Sequence, residues 1–539
     1  MAFHLIQTGA TLATMDTAGV VTTLTLPAGV TIDSTKRPRF TIIDQVIVIT
    51  NSPSVNLVYD PTAEELRVLC PPPPASPMIA AAGSGTGITG AVKLWYTFKI
   101  KDEWGQTVAE SPMSPVSNAV TLANNSIAGS GIATSATPGV NARGIYRTVA
   151  GGSAPFPLFD MDDNVATSFD NDLPDVSLEA ATADALGLPP GSSPGEQMTL
   201  CVAWDDRLWG VSSQQSLIDE VRASESQRPW AFTVTLQAPP LGADAIGVVT
   251  LIPLRDELLV GKRNNILRIV PAADDTTPYD VLKVGAGVGV TAPDSVAVIR
   301  DVAYWLHEDG VYRYNANGIS DQPLSREKVH SWFTTDEYFN RELFPDAFGG
   351  WNPVNDSYVL FLAAAGGTDF NRWVELILSG PNEGKWLGPH KTGAFTPTCF
   401  GLLQSSTGTY LPAIGSSNGY LHKMNQSTRT DEPATAIDWE IAGKAHAADQ
   451  PNMLRLWRRL AVINKIQGAG TMTVTPTVGE LNASAGTAIS VPLTAGRTVT
   501  RRLGTGTYCQ LTFRVNTAGQ DVTLYGYELP WHDIGVRKA

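Results

Sequence analysis

Five stretches of the sequence share one plan, in which a short apolar strand, a tight polar turn and a second apolar strand follow one another. They are 46–59, 208–221, 258–270, 303–314 and 410–424. Most of these units are introduced by an acid, at Asp44, Asp206, Asp256 and Asp301, with similar starts at Asp356 and Gly408. From Asp206 onward the starts lie 50, 45, 55 and 52 residues apart. About 40–50 residues per sheet-forming unit is typical of β-propeller blades, so the repeat predicts that architecture.

The composition also favours turn-rich β-structure. The chain has 49 Gly and 37 Pro, and its 17% of charged residues is below the usual share of about 25%. The net charge of −14 argues against a protein that wraps nucleic acid, because such binding needs a basic surface. An acidic duct could still let DNA pass, since repulsion prevents sticking.

The N-terminus has neither a basic start nor a long apolar core, so we expect no signal peptide. No run approaches the 18 apolar residues of a membrane span, which predicts a soluble protein made in a cytoplasm. The four cysteines, Cys70, Cys201, Cys399 and Cys509, are widely separated. We interpret them as small buried thiols in strands.

The chain is predicted to have four regions. Residues 1–87 hold N-terminal strands and the first blade, and the strands at 1–34 are expected to complete the last sheet of a ring. This region ends in Pro71–Pro74 and a flexible Gly-rich linker at 80–87. Residues 88–190 read as an inserted β-sandwich resembling fibronectin type III, 191–427 as the remaining blades, and 428–539 as a C-terminal β-sandwich. A second Pro/Gly-rich seam at 188–195 returns the chain to the ring.

The sequence contains no convincing catalytic constellation, and we predict no catalytic, cofactor-binding or metal-binding residues and no cofactor. Seven histidines are scattered without HxH or HExxH spacing. Asp160–Asn164 lacks the glycine and distal glutamate of a calcium loop, so an acidic turn is favoured. Asp206, Asp256 and Asp301 could be the converging carboxylates of a propeller glycosidase, although capping of strand starts explains them without catalysis.

Six arginines make the C-terminal region locally basic within an acidic protein; they are Arg455, Arg458, Arg459, Arg497, Arg501 and Arg502. A solvated sheet face is one explanation. Contact with an acidic neighbouring subunit is the other.

With these segments in view, residues 36–425 resemble the β-propeller nozzle or hub proteins of bacteriophage tails. The resemblance rests on short segments: Arg37–Phe40 leading into 47–51, Tyr96–Phe98 with Glu110–Pro115, Gly144–Thr148, Trp204–Trp209, and Ala292–Ser295 before 309–313.

This resemblance implies a non-enzymatic virion protein, synthesised in the host cytoplasm. It implies a ring of copies, usually six, around a DNA channel, with contacts to the adaptor and portal side and to fibre or spike proteins. DNA would pass without sequence-specific binding. A glycan-binding or glycan-cleaving propeller is the alternative, and a cellular scaffold propeller is a third possibility.

Overall fold

The regular secondary structure of the described residues is almost entirely β-strand. The computed structural model describes residues 3–179, 198–212, 218–238, 247–272, 278–392 and 395–424, and 430–536 with short gaps. It forms two compact units, one of residues 1–368, 375–387 and 401–410, the other of residues 369–374, 388–400 and 411–539. No helix in these described ranges is long and apolar enough to cross a membrane.

The N-terminal strands form a small sheet of their own. Its strands, in sheet order, are β1 (Phe3–Thr8), β2 (Thr11–Asp16) and β3 (Val21–Thr23). The sequence predicts that strands β1 to β3 complete the last sheet of a ring. Within the described residues this is wrong, because these strands pair only with one another. The side chain of His4 does contact the last sheet before the C-terminal region, since its Nε2 accepts the backbone N–H of Gln404 at 3.2 Å.

Sheet 1 follows, and its four strands lie in chain order. They are β4 (Arg39–Ile43), β5 (Val46–Thr50), β6 (Leu57–Asp60) and β7 (Glu65–Val68). The ring of Phe3 packs edge-on against Tyr59 of this sheet at 5.6 Å. Burial of such apolar side chains holds the N-terminal sheet on sheet 1.

The next region contains three small sheets, of order β11-β10-β14-β15, β12-β9 and β16-β13-β8. Its elements are β8 (Ile79–Ala82), β9 (Ile88–Val92), β10 (Leu94–Lys101), β11 (Thr107–Glu110), β12 (Val120–Asn125), β13 (Ile127–Ser130), β14 (Ala142–Thr148), β15 (Pro155–Met161), β16 (Ser168–Asn171) and helix α1 (Asp175–Glu179). One apolar core joins these sheets to sheet 1, because Tyr96 and Ile145 belong to the same buried cluster as Leu57 and Tyr59.

The flexible linker predicted at 80–87 is wrong. Residues Ile79–Ala82 pair with β13, and the backbone N–H of Gly85 donates to Oγ of Ser126 at 2.7 Å. A Cβ at Gly83 would lie 2.2 Å from that Oγ, so glycine is needed for close packing rather than for flexibility. The boundary at residue 88 stays a prediction, and the seam at 188–195 lies outside the described residues.

Five further sheets follow, again with strands in chain order, and we call them sheets 2 to 6. Sheet 2 is β17 (Met198–Trp204), β18 (Arg207–Ser212), β19 (Glu220–Glu225) and β20 (Arg228–Gln237). Sheet 3 is β21 (Thr250–Pro253), β22 (Leu258–Gly261), β23 (Asn265–Pro271) and β24 (Tyr279–Ala286). Sheet 4 is β25 (Ala297–Ile299), β26 (Val302–His307), β27 (Gly310–Asn315) and β28 (Gly318–Ile319). After helix α2 (His330–Thr334), sheet 5 is β29 (Phe348–Asn352), β30 (Ser357–Leu362), β31 (Arg372–Ile377) and β32 (Trp386–Lys391). Sheet 6 is β33 (Pro397–Gln404), β34 (Tyr410–Ser416) and β35 (Leu421–Lys423).

The five hairpins identified in the sequence are confirmed as neighbouring antiparallel strands: β5–β6, β18–β19, β22–β23, β26–β27 and β34–β35. Helix α2 is a short helix of five residues that follows a turn at 324–328.

Each of sheets 1 to 3 shares a buried apolar cluster with the next sheet. Val48 of sheet 1 meets Leu208 of sheet 2, and Trp209 of sheet 2 meets Leu258 of sheet 3. Trp305 of sheet 4 packs on sheet 3. Between sheets 4 and 5 the rings of Tyr304 and Tyr358 stack at 5.8 Å. Consecutive sheets are therefore consecutive neighbours in space.

The C-terminal region has two main sheets that share one apolar core, in which Trp457 and Leu460 of one sheet meet Val474 and Phe513 of the other. One sheet has the order β38-β44-β41-β42, with β39 on β44; the other has the order β43-β40-β45, with β46 on β40. The strands are β36 (Thr430–Asp431) and β37 (Thr435–Ala436), which pair with each other, β38 (Trp439–Ala442), β39 (His446–Ala447), β40 (Met453–Asn464), β41 (Thr471–Gly479), β42 (Ile489–Pro492), β43 (Arg497–Gly506), β44 (Tyr508–Val515), β45 (Leu524–Glu528) and β46 (Trp531–Val536).

Candidate functional site

The residues that start the sequence repeat occupy one structural position. Asp44, Asp206, Asp256, Asp301, Asp356 and Gly408 all lie in the turn between the first and second strands of sheets 1 to 6. In three turns both central residues have positive φ: Asp44-Gln45 (45° and 68°), Asp205-Asp206 (53° and 54°) and Arg300-Asp301 (52° and 63°). Two-residue hairpins require this geometry, and aspartate tolerates it better than most residues. The acids are therefore part of the turn chemistry.

Neighbouring turns lie beside one another. The backbone N–H of Arg255 donates to Oδ1 of Asp301 at 2.9 Å, and Nη2 of Arg300 lies 2.5 Å from Oδ1 of Asp356. Partial burial, and then the negative charge of Asp206, raise the pKa of Asp44. The turns of sheets 3 and 4 and of sheets 4 and 5 are thus linked, and Asp44 and Asp206 in the turns of sheets 1 and 2 lie near each other. We call this surface the acidic turn face.

Two tyrosines repeat a single contact across adjacent sheets. Tyr279 of sheet 3 donates to Oδ2 of Asp205 in sheet 2 at 2.6 Å, and Tyr314 of sheet 4 donates to Oε1 of Glu257 in sheet 3 at 2.7 Å. Burial, together with the adjacent carboxylate, raises the pKa of each tyrosine to about 12. Both therefore stay neutral hydrogen-bond donors at physiological pH.

Replacing Tyr314 with Phe should lower the free energy of unfolding by roughly 1–2 kcal/mol, because Glu257 loses a buried donor. Tyr279→Phe should cost less, because Asp205 is exposed and water can replace the hydroxyl. Urea unfolding monitored by circular dichroism measures both values. Equal losses would contradict the role given to burial.

At the opposite ends of the first strands, charged side chains connect distant sheets. Asp294, just before sheet 4, is paired with Arg37 at 2.9 Å and with Arg39 of sheet 1 at 2.8 Å. The guanidinium of Arg37 also lies 4.4 Å from the ring centre of Phe348 in sheet 5 and donates to the carbonyl of Asp346 at 2.9 Å. The starts of sheets 1, 4 and 5 therefore converge.

The Pro-broken segment after β11 covers the edge of β10 with a ladder of serines. Oγ of Ser111, Ser114 and Ser117 accepts the backbone N–H of Phe98, Tyr96 and Leu94, at 2.8, 3.1 and 2.9 Å. The backbone N–H of each serine donates back to the carbonyl of the same partner. Serine at every third position thus supplies the contacts that the prolines between them cannot make.

The acids at 160–164 bind neighbouring cations of the protein. Asp160 is paired with Lys99 and Lys101, both at 2.8 Å, and Asp163 with the fully buried guanidinium of Arg143 at 2.7 Å. Among all described residues, no group of three or more His, Cys, Asp or Glu side chains is placed to hold a metal ion. Asp160 lies near the end of β15 and Asp163 in the loop that follows, and both pair with cations of the protein itself.

The carboxylates considered for glycan chemistry lie in the first turns of three different sheets. Asp206 and Asp256 are exposed in separate turns, and Asp301 accepts the N–H of Arg255. The aromatic partners of this face, Tyr279 and Tyr314, are buried and already hydrogen-bonded. These tyrosine–carboxylate contacts join neighbouring sheets.

The cysteine prediction holds in part. Cys201 and Cys509 are buried in β17 and β44, and burial raises the pKa of both thiols, that of Cys509 to about 12. Cys70 is half-buried and lies outside a strand. Cys399 is exposed in β33, which corrects the prediction. A thiol faces solvent there because neighbouring residues of that strand, Thr398 and Gly401, are exposed as well.

The C-terminal arginines divide into two groups. Arg455 is buried, paired with Asp533 at 3.1 Å and stacked 4.6 Å from the centre of Trp531. Arg458 and Arg459 are exposed, and Arg497 is half-exposed beside Glu528 at 2.7 Å. The side chains of Arg501 and Arg502 lie outside the described residues.

The sequence did not point to two buried charges. Lys262 is completely buried, with Nζ 2.6 Å from Asp219. Glu375, 2% exposed, accepts from Asn352, Asn355 and Ser357 at 2.9, 3.1 and 2.5 Å. The available signal was a charged residue within an apolar strand, at 258–262 and 373–378.

No known protein family and no curated protein matches the chain. Solved structures with some similarity include Hsv2 of Kluyveromyces lactis, with 11% identity over 56% of this chain and 69% of that one and a TM-score of 0.26. PorZ, a surface component of the type-IX secretion system of Porphyromonas gingivalis, has 10% identity, coverage of 98% and 80%, and a TM-score of 0.27. An exo-β-1,3-galactanase of Phanerochaete chrysosporium has 12% identity, coverage of 83% and 98%, and a TM-score of 0.21. At such scores none of them carries an argument about fold or function.

Proposed function

We propose that this chain is a non-enzymatic structural protein of a bacteriophage tail. Several copies would form a ring around the DNA channel as a nozzle or hub, joined to adaptor and portal-side proteins and to fibres or spikes. In this proposal sheets 1 to 6 are blades of a β-propeller, the region after sheet 1 is an inserted fibronectin-like sandwich, and the last region is a C-terminal sandwich. DNA would pass through without sequence-specific contacts.

One observation supports the proposal: residues in the segments on which the resemblance rests make contacts that hold separate parts of the fold together. Arg37 and Arg39 bind Asp294 of another such segment, and Ser111 and Ser114 form the ladder on β10. A subunit that forms part of a rigid ring needs such contacts between its sheets. An enzyme would instead need unpaired reactive groups gathered in a cleft.

Further support comes from the sheet packing. Sheets 1 to 5 are joined in succession by apolar contacts, and the starts of sheets 1, 4 and 5 converge at Arg37 and Asp294. Radial repetition of four-stranded meanders around an axis produces this pattern.

Native mass spectrometry and negative-stain electron microscopy of the full chain test the proposal. We expect a ring of identical copies with a continuous lumen, and the same protein in purified virions. A monomeric particle that is absent from virions would contradict it. Loss of a measured glycan activity in Asp206→Ala, Asp256→Ala or Asp301→Ala, without unfolding, would favour the carbohydrate-active alternative.

A further inference from the structure

Trp104 is presented to solvent at the tip of the β10–β11 hairpin, where 78% of its surface is exposed. The turn beneath it is held by Asp102, whose Oδ1 accepts the N–H of Trp104 at 2.9 Å and that of Gln106 at 2.8 Å. The carbonyl of Asp102 accepts the N–H of Gly105 at 3.0 Å. A large aromatic residue on a rigid turn loses little entropy on binding, which makes it a preorganised anchor.

Several acids lie near the base of this hairpin. Burial lowers the pKa of Arg67, and the nearby carboxylates of Asp60, Glu65 and Asp102 oppose that shift. Nη1 of Arg67 donates to the carbonyl of Val108 in β11 at 3.2 Å. The β6–β7 turn, which includes exposed Glu64, therefore lies beside the hairpin, and Glu103 adds a further exposed carboxylate at its tip. We call this surface the Trp104 hairpin. Its charge disfavours nucleic acid and anionic lipid and favours a basic partner.

The chain itself carries a surface of the required chemistry in its C-terminal region. Arg459 on β40 and Arg497 on β43 are exposed, as are Val499 (46%) and Tyr525 (67%). Their strands are adjacent, with Ala461 opposite Val499 and Ile463 opposite Arg497. We call this surface, together with exposed Arg458, the arginine face. It is partly apolar and carries three arginines, of which Arg497 is paired with Glu528 at 2.7 Å, within a chain of net charge −14.

We propose that the Trp104 hairpin of one copy docks on the arginine face of a neighbouring copy. The contact pairs two different patches, so its repetition is heterologous and builds a ring when the rotation closes. Trp104 would lie against guanidinium groups, with which an indole interacts favourably, and Glu103 and Glu64 would meet Arg458 and Arg459. This inference rests on the proposed ring of copies and assigns the surfaces that form it.

The test uses the full chain in sedimentation velocity at about 0.05 M and 0.5 M salt. Trp104→Ala should weaken self-association at least about 10-fold, as expected for a central aromatic anchor. Val165→Ala is the matched control, because Val165 is also 78% exposed and lies in the same inserted region. It should leave association unchanged. Higher salt should weaken association of the wild type, since exposed charges are screened.

A charge swap tests whether the Trp104 hairpin docks on the arginine face. Glu103→Arg and Arg459→Glu should each weaken association, and the double variant should recover it, whereas a lack of recovery would overturn the arginine face as the docking surface. If the wild type assembles and Trp104→Ala assembles equally well, the contact is wrong while the ring stands. A wild type that remains monomeric overturns both proposals. Retention on phosphatidylserine vesicles that is lost in Trp104→Ala would assign the anchor to a membrane and overturn the contact.

Discussion

Replacing Trp305 with Ala is expected to lower the free energy of unfolding by about 3–5 kcal/mol, the range for removal of a large buried aromatic side chain. Trp305 is fully buried in the core between sheets 3 and 4. Its ring stacks on Tyr312 with centroids 6.5 Å apart, and its indole N–H donates to the carbonyl of Gly289 at 2.9 Å. The substitution therefore opens a cavity and also leaves a carbonyl without its indole donor.

Trp104→Ala supplies the control, because it removes the same side chain from an exposed turn and should change stability by no more than about 0.5 kcal/mol. Guanidinium unfolding of both variants, followed by far-ultraviolet circular dichroism, gives the comparison. A similar loss in the two variants would show that Trp305 does not join sheets 3 and 4. Trp305→Phe should recover part of the loss, because a ring remains to fill the cavity.

The sequence predicted the repeating part of the fold because that part is encoded locally. Asp206, Asp256 and Asp301 are spaced by the length of one four-stranded sheet, and Asp206 and Asp301 adopt the positive φ that their two-residue turns require. Alternation of apolar residues also located most strands of the C-terminal region, such as β40 and β44.

Long-range contacts could not be read in the same way. Gly83 and Gly85 indicated a flexible linker because glycine frees a backbone, yet here their missing side chains allow Ser126 and Asp170 to approach. Nothing local signals that Arg37 meets Asp294, 257 residues away. The sequence showed the acids of the acidic turn face but not that they lie on one surface. Only the three-dimensional structure identified their hydrogen-bond partners, such as Tyr279.

Replacing Glu375 with Leu is expected to cost about 3 kcal/mol or more, because three donors lose their acceptor at once. Oε1 of Glu375 accepts from the side chains of Asn352, Asn355 and Ser357, all within one sheet and its first turn. Leucine fills a similar volume, so the effect measures lost hydrogen bonding rather than a cavity. Urea unfolding monitored by circular dichroism gives the free energy.

The size of this effect should depend on how many of the three contacts each variant keeps. Glu375→Gln retains an oxygen acceptor and should cost less than the leucine variant, whereas Ser357→Ala removes one donor and should cost about 1 kcal/mol. Glu383→Leu, at an exposed acid after β31, should stay within about 0.5 kcal/mol of wild type. If Glu375→Leu falls in that range too, Glu375 does not fasten the first turn of sheet 5 to β31. Agreement with the expected order would show that Glu375 fastens the first turn of sheet 5 to β31 through all three hydrogen bonds.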